Sequence, residues 1–285
     1  MFKPLICDGL WASMLVDTDD PAFYAAIARH RSVLEQQPAR YNLILGFLTR
    51  VPQMPVEEVR FWSFQTPGSC ALQIGTSSIF LGALAPHNEA ALVGLISGLS
   101  FRGIVGPDDS ALRLAKRCEN LGIVFEGSHA YSILELDRPA RFPGAPGRAR
   151  QVGGEDEAMF GAFMAAFLRE AMPYEPVPTA ERIATEAKSG RYLFWTVDDV
   201  PVSMAGKVRE TATLAAISCV YTPPEHRARG YAASLTAALC ERLFAEGKRV
   251  LCLHTELANP YSDHCYAKIG FRHVCPLIIY LRKQA

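Results

Sequence analysis

The chain lacks an excess of charge of either sign, because 29 lysines and arginines balance 29 aspartates and glutamates. A nucleic acid is therefore not expected as the main partner, since it selects proteins with a strong basic surface. The chain also lacks an apolar run long enough to cross a bilayer: its most apolar region, residues 78–99, is broken by Pro86, His87, Asn88 and Glu89. No charged-then-apolar signal pattern opens the sequence, so we expect a cytoplasmic protein with no membrane partner.

Closely spaced cysteine pairs are absent too. The eight cysteines are scattered without a Cys-x-x-Cys pair, which favours buried reduced thiols over a disulfide framework. His264, Cys265, His273 and Cys275 are the nearest approach to a zinc-ligand set. Adjacent ligands at 264 and 265 do not fit the usual spacing of a structural site, so we expect no metal.

The length and one biased segment divide the chain into two parts. At 285 residues it is long enough for two domains, each with its own core. Residues 139–154 are rich in proline, glycine and arginine and carry almost no large apolar side chain, as expected of a linker. We therefore predict an N-terminal domain at 1–140 and a C-terminal domain at 148–285.

The pattern of apolar and turn residues predicts a mixed α/β fold. The N-terminal half has an α+β order without a glycine-rich anion loop, and residues 41–48 are apolar but of uncertain type. The C-terminal half follows the order helix, helix, three strands, helix, strand, helix, strand, which predicts a mixed sheet. In that half the predicted helices are 155–170, one capped by Thr179 and ending near Gly190, 231–246 and 261–269. The predicted strands are 192–197, 202–208, 213–221, 249–256 and 273–281.

The most informative stretch is residues 220–233, VYTPPEHRARGYAA. It predicts a strand that ends at a proline pair, a basic loop, and a helix with an open N-terminus. Such a helix start offers unpaired backbone N–H groups and the positive end of a dipole, which together bind phosphate. Gly230 and Ala232 allow close approach to the backbone, and Arg227 and Arg229 add positive charge. This pattern indicates a site for a ligand that carries a diphosphate.

Three motifs in the same order resemble one enzyme family. Residues 227–232 fit a phosphate loop with Gln or Arg first, Gly fourth and Gly or Ala sixth. Asn259 precedes Tyr266 by seven residues, and residues 266–271 read Tyr-Ala-Lys-Ile-Gly-Phe. With these motifs, residues 148–283 resemble the GNAT superfamily of acyl-CoA-dependent N-acyltransferases. The N-terminal half shows only a similar order of elements, and its being a degenerate GNAT-like copy is a hypothesis.

The resemblance implies a GNAT-like fold that binds acetyl-CoA as co-substrate. The pantetheine arm would lie between the strands at 213–221 and 249–256 and pair with the backbone of Cys219, Val220 and Tyr221. The diphosphate would rest on backbone amides of the loop and helix start, formed by Arg227, Ala228, Arg229, Gly230, Tyr231 and Ala232. An amine would attack the thioester directly, with no covalent enzyme intermediate, and a strand N–H would stabilise the developing oxyanion.

The resemblance also suggests roles for individual side chains. Tyr266 would protonate the leaving thiolate, although a purely packing role is the alternative. Asn259 would contact the pantetheine, cap the following helix, or both. Glu256 and His254 share one strand face and are alternative general bases, each of which could instead be structural. Cys219 is interpreted as a small apolar strand residue, since no histidine partner is evident.

Two functions from different classes follow from this pattern. The first is an acetyl-CoA-dependent N-acetyltransferase acting on a primary amine of a small molecule or peptide. The second is a non-catalytic module that binds or senses acyl-CoA. Nucleotide binding through the same loop is less favoured, because the loop lacks the Gly-Lys-Ser/Thr ending of a P-loop. We expect a monomer or a homodimer.

Overall fold

The computed structural model of the chain describes residues 5–7, 10–13, 21–54, 59–138, 142–257 and 260–283. The chain divides into two compact units, one formed by residues 1–133 and 274–285 and the other by residues 134–273. The predicted limits of 1–140 and 148–285 differ from this division chiefly at the C-terminus, where residues 274–285 contribute to the first unit. The division into domains at 1–140 and 148–285 stays a prediction.

The described residues form helices and strands in alternating groups. The helices are α1 Pro21–Leu34, α2 Asn42–Arg50, α3 Pro86–Ile96, α4 Ser110–Glu119, α5 Glu157–Ala171, α6 Ala180–Ala187, α7 Tyr231–Ala245 and α8 Pro260–Ile269. The strands are β1 Leu5–Cys7, β2 Leu10–Ser13, β3 Val59–Ser63, β4 Cys70–Ile74, β5 Ile79–Leu81, β6 Gly103–Pro107, β7 Phe125–Leu136, β8 Arg148–Gln151, β9 Tyr192–Val197, β10 Val200–Glu210, β11 Leu214–Tyr221, β12 Val250–Glu256 and β13 Arg272–Arg282.

The first unit contains a mixed sheet. Its strands follow the order β1-β2-β3-β4-β5-β6-β13, and all neighbours are antiparallel except the parallel pair β5 and β6. Helix α3 connects these parallel strands, as a crossover connection requires. Alternating strand residues supply two cores, so that Phe61 packs on one face of β3 and Trp62 on the other.

The second unit contains a sheet in the order β12-β11-β10-β9-β8. Only β11 and β12 are parallel, and α7 connects them. Alternation along β9 places Leu193 and Trp195 against α7 and α8, while Tyr192 and Phe194 pack against α5 and α6. The predicted mixed α/β fold is confirmed, and the apolar residues 41–48 of uncertain type lie mostly in α2.

The stretch predicted as a linker is ordered in its described part, residues 142–154. Residues 148–151 form the edge strand β8, which pairs with β9. The indole Nε1–H of Trp195 donates to the carbonyl oxygen of Pro146 at 3.0 Å. Phe142 and Ala145 pack against the core beside α7. The linker interpretation of these residues is therefore wrong, because proline and glycine here shape a packed edge and not a free connection.

Candidate functional site

The parallel strands β11 and β12 separate at their carboxyl ends. Their ladder runs from the pair Leu214 and Val250 to the pair Ala216 and Cys252. Each strand then continues, β11 to Tyr221 and β12 to Glu256, without a further paired position between the two among the described residues. Beyond this pair the ladder between the two strands ends, so an extended ligand could pair with the strand edges there.

A β-bulge lies in β11 where the strands separate. Gly206 pairs with Ser218 and Met204 pairs with Tyr221, so three steps along β11 oppose two along β10. Cys219 has a φ of 56°, in the left-handed region that non-glycine residues seldom adopt. A bulge leaves one residue out of the ladder and re-aims its neighbours. The structure thus places its local backbone irregularity at two residues that the sequence assigned to the ligand, Cys219 and Val220.

Side chains fix the end of β11 beyond the bulge. The Ser203 hydroxyl donates to the carbonyl oxygen of Tyr221 at 3.0 Å, and the Thr222 hydroxyl donates to Ser203 Oγ at 2.9 Å. Tyr221 is buried, and Val220 packs against the core on the α7 side. The strand end is therefore held firmly, which keeps the opening between β11 and β12 in one shape.

The loop after β11 presents backbone N–H groups at the start of α7. Gly230 is the N-cap residue with φ 81° and ψ 3°, and no side chain caps the helix. Ala228 also has a positive φ, 60°. Left-handed residues alternating with others turn successive N–H groups toward one side and form an anion-binding concavity. Tyr231, the first helical residue, is buried, and Ala232 follows it half-buried. This geometry is compatible with an anion site, and binding of a diphosphate at the predicted residues 227–232 stays a prediction.

The two arginines of the loop differ in their contacts. Arg227 is bound to its surroundings: Nη2 donates to Oε2 of Glu170 at 2.6 Å, and Nε donates to the Thr222 carbonyl oxygen at 2.9 Å. Its backbone N–H donates to Pro224 at 3.3 Å. Arg229 is exposed and makes no hydrogen bond or ion pair within the described residues. Arg229 is thus the guanidinium available to a diphosphate, while Arg227 ties the loop to α5.

A serine in the first turn of α7 holds the loop from behind. The Ser234 hydroxyl donates to the Gly230 carbonyl oxygen at 3.0 Å and accepts the N–H of Ala145 at 2.7 Å. A Cβ on Gly230 would lie 3.6 Å from the Ala145 Cβ, and the positive φ strains any other residue there. Gly230 is therefore required by the conformation of the loop.

The first unit has a comparable helix start that is closed to anions. Helix α3, after the parallel strand β5, begins with Pro86, which has no N–H. The Ser69 hydroxyl accepts the N–H of Ala85 at 3.0 Å, and Glu89 is fully buried in the first turn, where Arg113 contacts it at 2.6 Å. The buried carboxylate in the first turn disfavours a phosphate here, because the two negative charges would repel each other.

Tyr266 lies on α8, in the core between α7 and the sheet. Its ring packs edge-on against Phe271, with 5.8 Å between the centroids. Burial raises the pKa of the phenol, and the nearby thiols of Cys265 and Cys240 raise it further. The hydroxyl therefore stays protonated at neutral pH and is able to donate a hydrogen bond. Asn259, predicted as its partner in the site, lies outside the described residues.

The candidate bases on β12 have different surroundings. Glu256 is exposed at the end of the strand. Burial lowers the pKa of His254 to about 3, and the positive charge of Arg209 lowers it as well. His254 is therefore neutral and holds a proton weakly, which makes it a poor general base. Burial also raises the pKa of Cys219 to about 11, so its thiol is not a ready nucleophile.

Arg209 is a residue of this site that the sequence did not indicate. It pairs with Ala216 on β11, and Ala216 pairs with Cys252 on β12, so the three residues form one row across the sheet. Burial lowers the pKa of its guanidinium. An irregularity of β10 between Lys207 and Arg209 decides which face the arginine occupies. That irregularity has no signal in the local sequence.

Part of the second half of the chain matches a family model. Residues 157–271 match the model described as the acetyltransferase (GNAT) family. No curated protein matches the sequence. No described helix is both long and apolar enough to cross a membrane. Among the described residues, no group of three His, Cys, Asp or Glu side chains is arranged to hold a metal ion.

Solved structures share the fold at low sequence identity. A Drosophila protein aligns with a TM-score of 0.68 at 13% identity, covering 96% of this chain and 99% of its own. A GCN5-related N-acetyltransferase from Sphaerobacter thermophilus aligns with a TM-score of 0.63 at 17% identity, covering 98% and 96%. A tandem GNAT protein from the clavulanic acid biosynthesis pathway aligns with a TM-score of 0.54 at 10% identity, covering 95% and 98%. These likenesses extend over both halves of the chain and concern the fold alone.

Proposed function

Because residues 157–271 form a domain of the acetyltransferase (GNAT) family, we propose that the protein transfers an acetyl group from acetyl-CoA to a primary amine of a small molecule or peptide. One observation carries the proposal. The opening between β11 and β12 leads directly to the uncapped start of α7, so one extended thioester with a diphosphate can occupy both. The family fold supports acyl-CoA-dependent acetyl transfer in general, and the acceptor is the specific part of the proposal.

In this proposal the opening binds the pantetheine arm as an added strand. The backbone of Cys219, Val220 and Tyr221 pairs with it, and an N–H at the bulge donates to the thioester carbonyl oxygen. That hydrogen bond strengthens as the oxygen gains negative charge in the transition state. The diphosphate lies on the N–H groups of residues 228–232, with the exposed Arg229 beside them.

Three side chains complete the proposed chemistry. Glu256 takes the proton that the attacking amine loses, directly or through water. The carbon–sulfur bond then breaks, and Tyr266 donates a proton or hydrogen bond to the departing thiolate. Because burial raises the pKa of the phenol, Tyr266 acts as a hydrogen-bond donor to the thiolate more readily than as a full proton donor. Asn259 remains proposed as a contact to the pantetheine.

The test separates an enzyme from a module that only binds acyl-CoA. The wild type is assayed for release of free thiol from acetyl-CoA with amino acids, polyamines and peptides, and its affinity for CoA is measured by calorimetry. The Tyr266→Phe variant is expected to lose turnover while keeping its affinity. CoA binding without turnover for any amine contradicts the enzymatic proposal, and absence of CoA binding contradicts both functions.

A further inference from the structure

Helix α6 carries a carboxylate that the fold does not use. Oε2 of Glu186 is buried and has no hydrogen-bond partner within the part of the chain that the structure describes. The residue lies in the last turn of α6, at the negative end of the helix dipole, and that turn holds no basic residue. A carboxylate in this position is destabilising in the absence of a partner. This combination leaves one buried carboxylate oxygen available to a ligand.

The neighbours of Glu186 place it beside the proposed thioester site. Ala187, the next residue on α6, packs in one buried cluster with Tyr192 and Cys219. The negative charge of Glu186 is in addition one of the smaller causes, after burial, that raise the pKa of Tyr192 and Cys219. Cys219 is the bulge residue of β11, and Tyr192 lies across β10 from it, opposite Gly206. Glu186 thus lies next to the buried cluster that contains the bulge residue of β11.

The positive charges in this region belong to other neighbours. Arg182 and Arg191 act on Tyr192, and Arg209 acts on Cys219. None of the described cations forms an ion pair with Glu186. The buried oxygen is therefore a hydrogen-bond acceptor without a donor among the described residues.

We propose that Glu186 binds the protonated amine of the acceptor and selects primary ammonium groups as substrates. This inference rests on the proposed function for the position of the thioester at Cys219. An ammonium group has three N–H donors, so it can satisfy the buried oxygen and compensate its charge together. Binding by charge is separate from removal of the proton, which is assigned to Glu256.

The experiment uses the full-length protein and two matched variants. Glu186→Gln removes the charge and keeps the size. Glu181→Gln makes the same change at an exposed position on the same helix. Calorimetry measures binding of n-alkylammonium ions from methyl to hexyl, with and without CoA, and n-butanol serves as the neutral control. Thermal unfolding checks that both variants are folded, and Glu186→Asp replaces Glu186→Gln if the latter does not fold.

We expect the wild type and Glu181→Gln to bind alkylammonium ions with the same affinity. Glu186→Gln should bind them about tenfold or more weakly, while its affinity for CoA stays unchanged. With an accepted amine, the KM for the amine should rise in the same variant while the KM for acetyl-CoA stays the same. Equal ammonium affinity in the wild type and Glu186→Gln, or no ammonium binding by either, overturns the inference. CoA binding in that case leaves the proposed function standing. If the protein binds ammonium ions through Glu186 but does not bind CoA, the proposed function is overturned and the inference about Glu186 is not.

Discussion

Tyr192 lies over Gly206, its partner across the pair of β9 and β10, and its ring occupies the space that a Cβ on the glycine would need. Gly206 also pairs with Ser218 on its other side. The missing side chain lets the tyrosine ring lie against the strand, next to the bulge at Cys219. One glycine therefore shapes the wall of the proposed acceptor site.

Replacing Gly206 with alanine should displace the Tyr192 ring. Overpacking of a filled core costs about 1–3 kcal/mol, and we expect the free energy of unfolding in urea to fall by that amount. Gly94→Ala is the control, because that position lies in α3 with open space around it. Alanine there should leave stability unchanged or raise it by about 0.5–1 kcal/mol. Equal stability of Gly206→Ala and the wild type contradicts the packing argument.

Arg229 should contribute more to the affinity for CoA than Arg227 does. Arg229 is exposed without a protein partner among the described residues, whereas Arg227 is occupied by Glu170. Loss of one exposed charge pair is worth about 1 kcal/mol or less, so Arg229→Ala should weaken CoA binding about threefold to fivefold. The difference in CoA affinity between the wild type and Arg229→Ala should become smaller at high salt, because salt screens surface charges.

Calorimetry with CoA at low and high ionic strength measures this effect. Arg249→Ala is the control, since Arg249 is exposed just before the opposite, amino end of β12. Arg227→Ala should act mainly by loosening the loop, with an effect that depends less on salt. An Arg229→Ala variant that binds CoA as tightly as the wild type at low salt would refute the assignment.

Local signals in the sequence account for most elements of the second unit, with the edge strand β8 as an exception. Strand β9 at 192–197 agrees with its prediction, and Thr179 caps α6 through a hydrogen bond from the N–H of Arg182 at 3.3 Å. The loop before α7 was predictable for the same reason, since glycine and an uncapped start are properties of neighbouring residues. The confirmed features depend on residues close together in the chain.

The features that the sequence did not reveal depend on distant residues. The bulge at Cys219 is defined only by its register against β10. Arg209 reaches its row because β10 is irregular just before it. The C-terminal strand alternates like any half-buried strand, and only its pairing of Leu277 with Pro107 shows that residues 274–282 belong to the first unit. Periodicity predicts a strand but not its neighbour.

Stability should fall in mild acid because of His30. This side chain is fully buried in the first unit, its Nε2 lies 2.8 Å from Ser63 Oγ, and Nδ1 has no partner within the described residues. Burial, and then the charge of Arg29, lower its pKa from 6.5 to about 4. At pH values between about 4 and 6.5, His30 is protonated in the unfolded chain but neutral in the folded protein. The free energy of unfolding therefore declines as the pH falls from 6.5 to about 4, and this contribution is constant below that.

Urea unfolding at several pH values checks this expectation. The whole contribution is on the order of 3 kcal/mol, since one pKa unit corresponds to about 1.4 kcal/mol. His30→Gln should flatten the decline, whereas His273→Gln, at an exposed position, should follow the wild type. Parallel pH profiles for the wild type and His30→Gln would show that His30 is not the group responsible.

The pH dependence of kcat should show whether Glu256 is the general base. Glu256→Gln removes a carboxylate at the exposed end of β12, and loss of a general base lowers kcat on the order of 100-fold. The amine must be neutral to attack. At higher pH more of the amine is already neutral in solution, so the difference in kcat between the wild type and Glu256→Gln should become smaller. The measurement is kcat against pH for one accepted amine, with Glu241→Gln, exposed on α7, as the control. CoA affinity should stay unchanged in both variants. If the kcat of Glu256→Gln is lower than that of the wild type by the same factor at every pH, Glu256 has a role other than proton removal. Only the loss of a general base is compensated by the higher concentration of neutral amine at high pH.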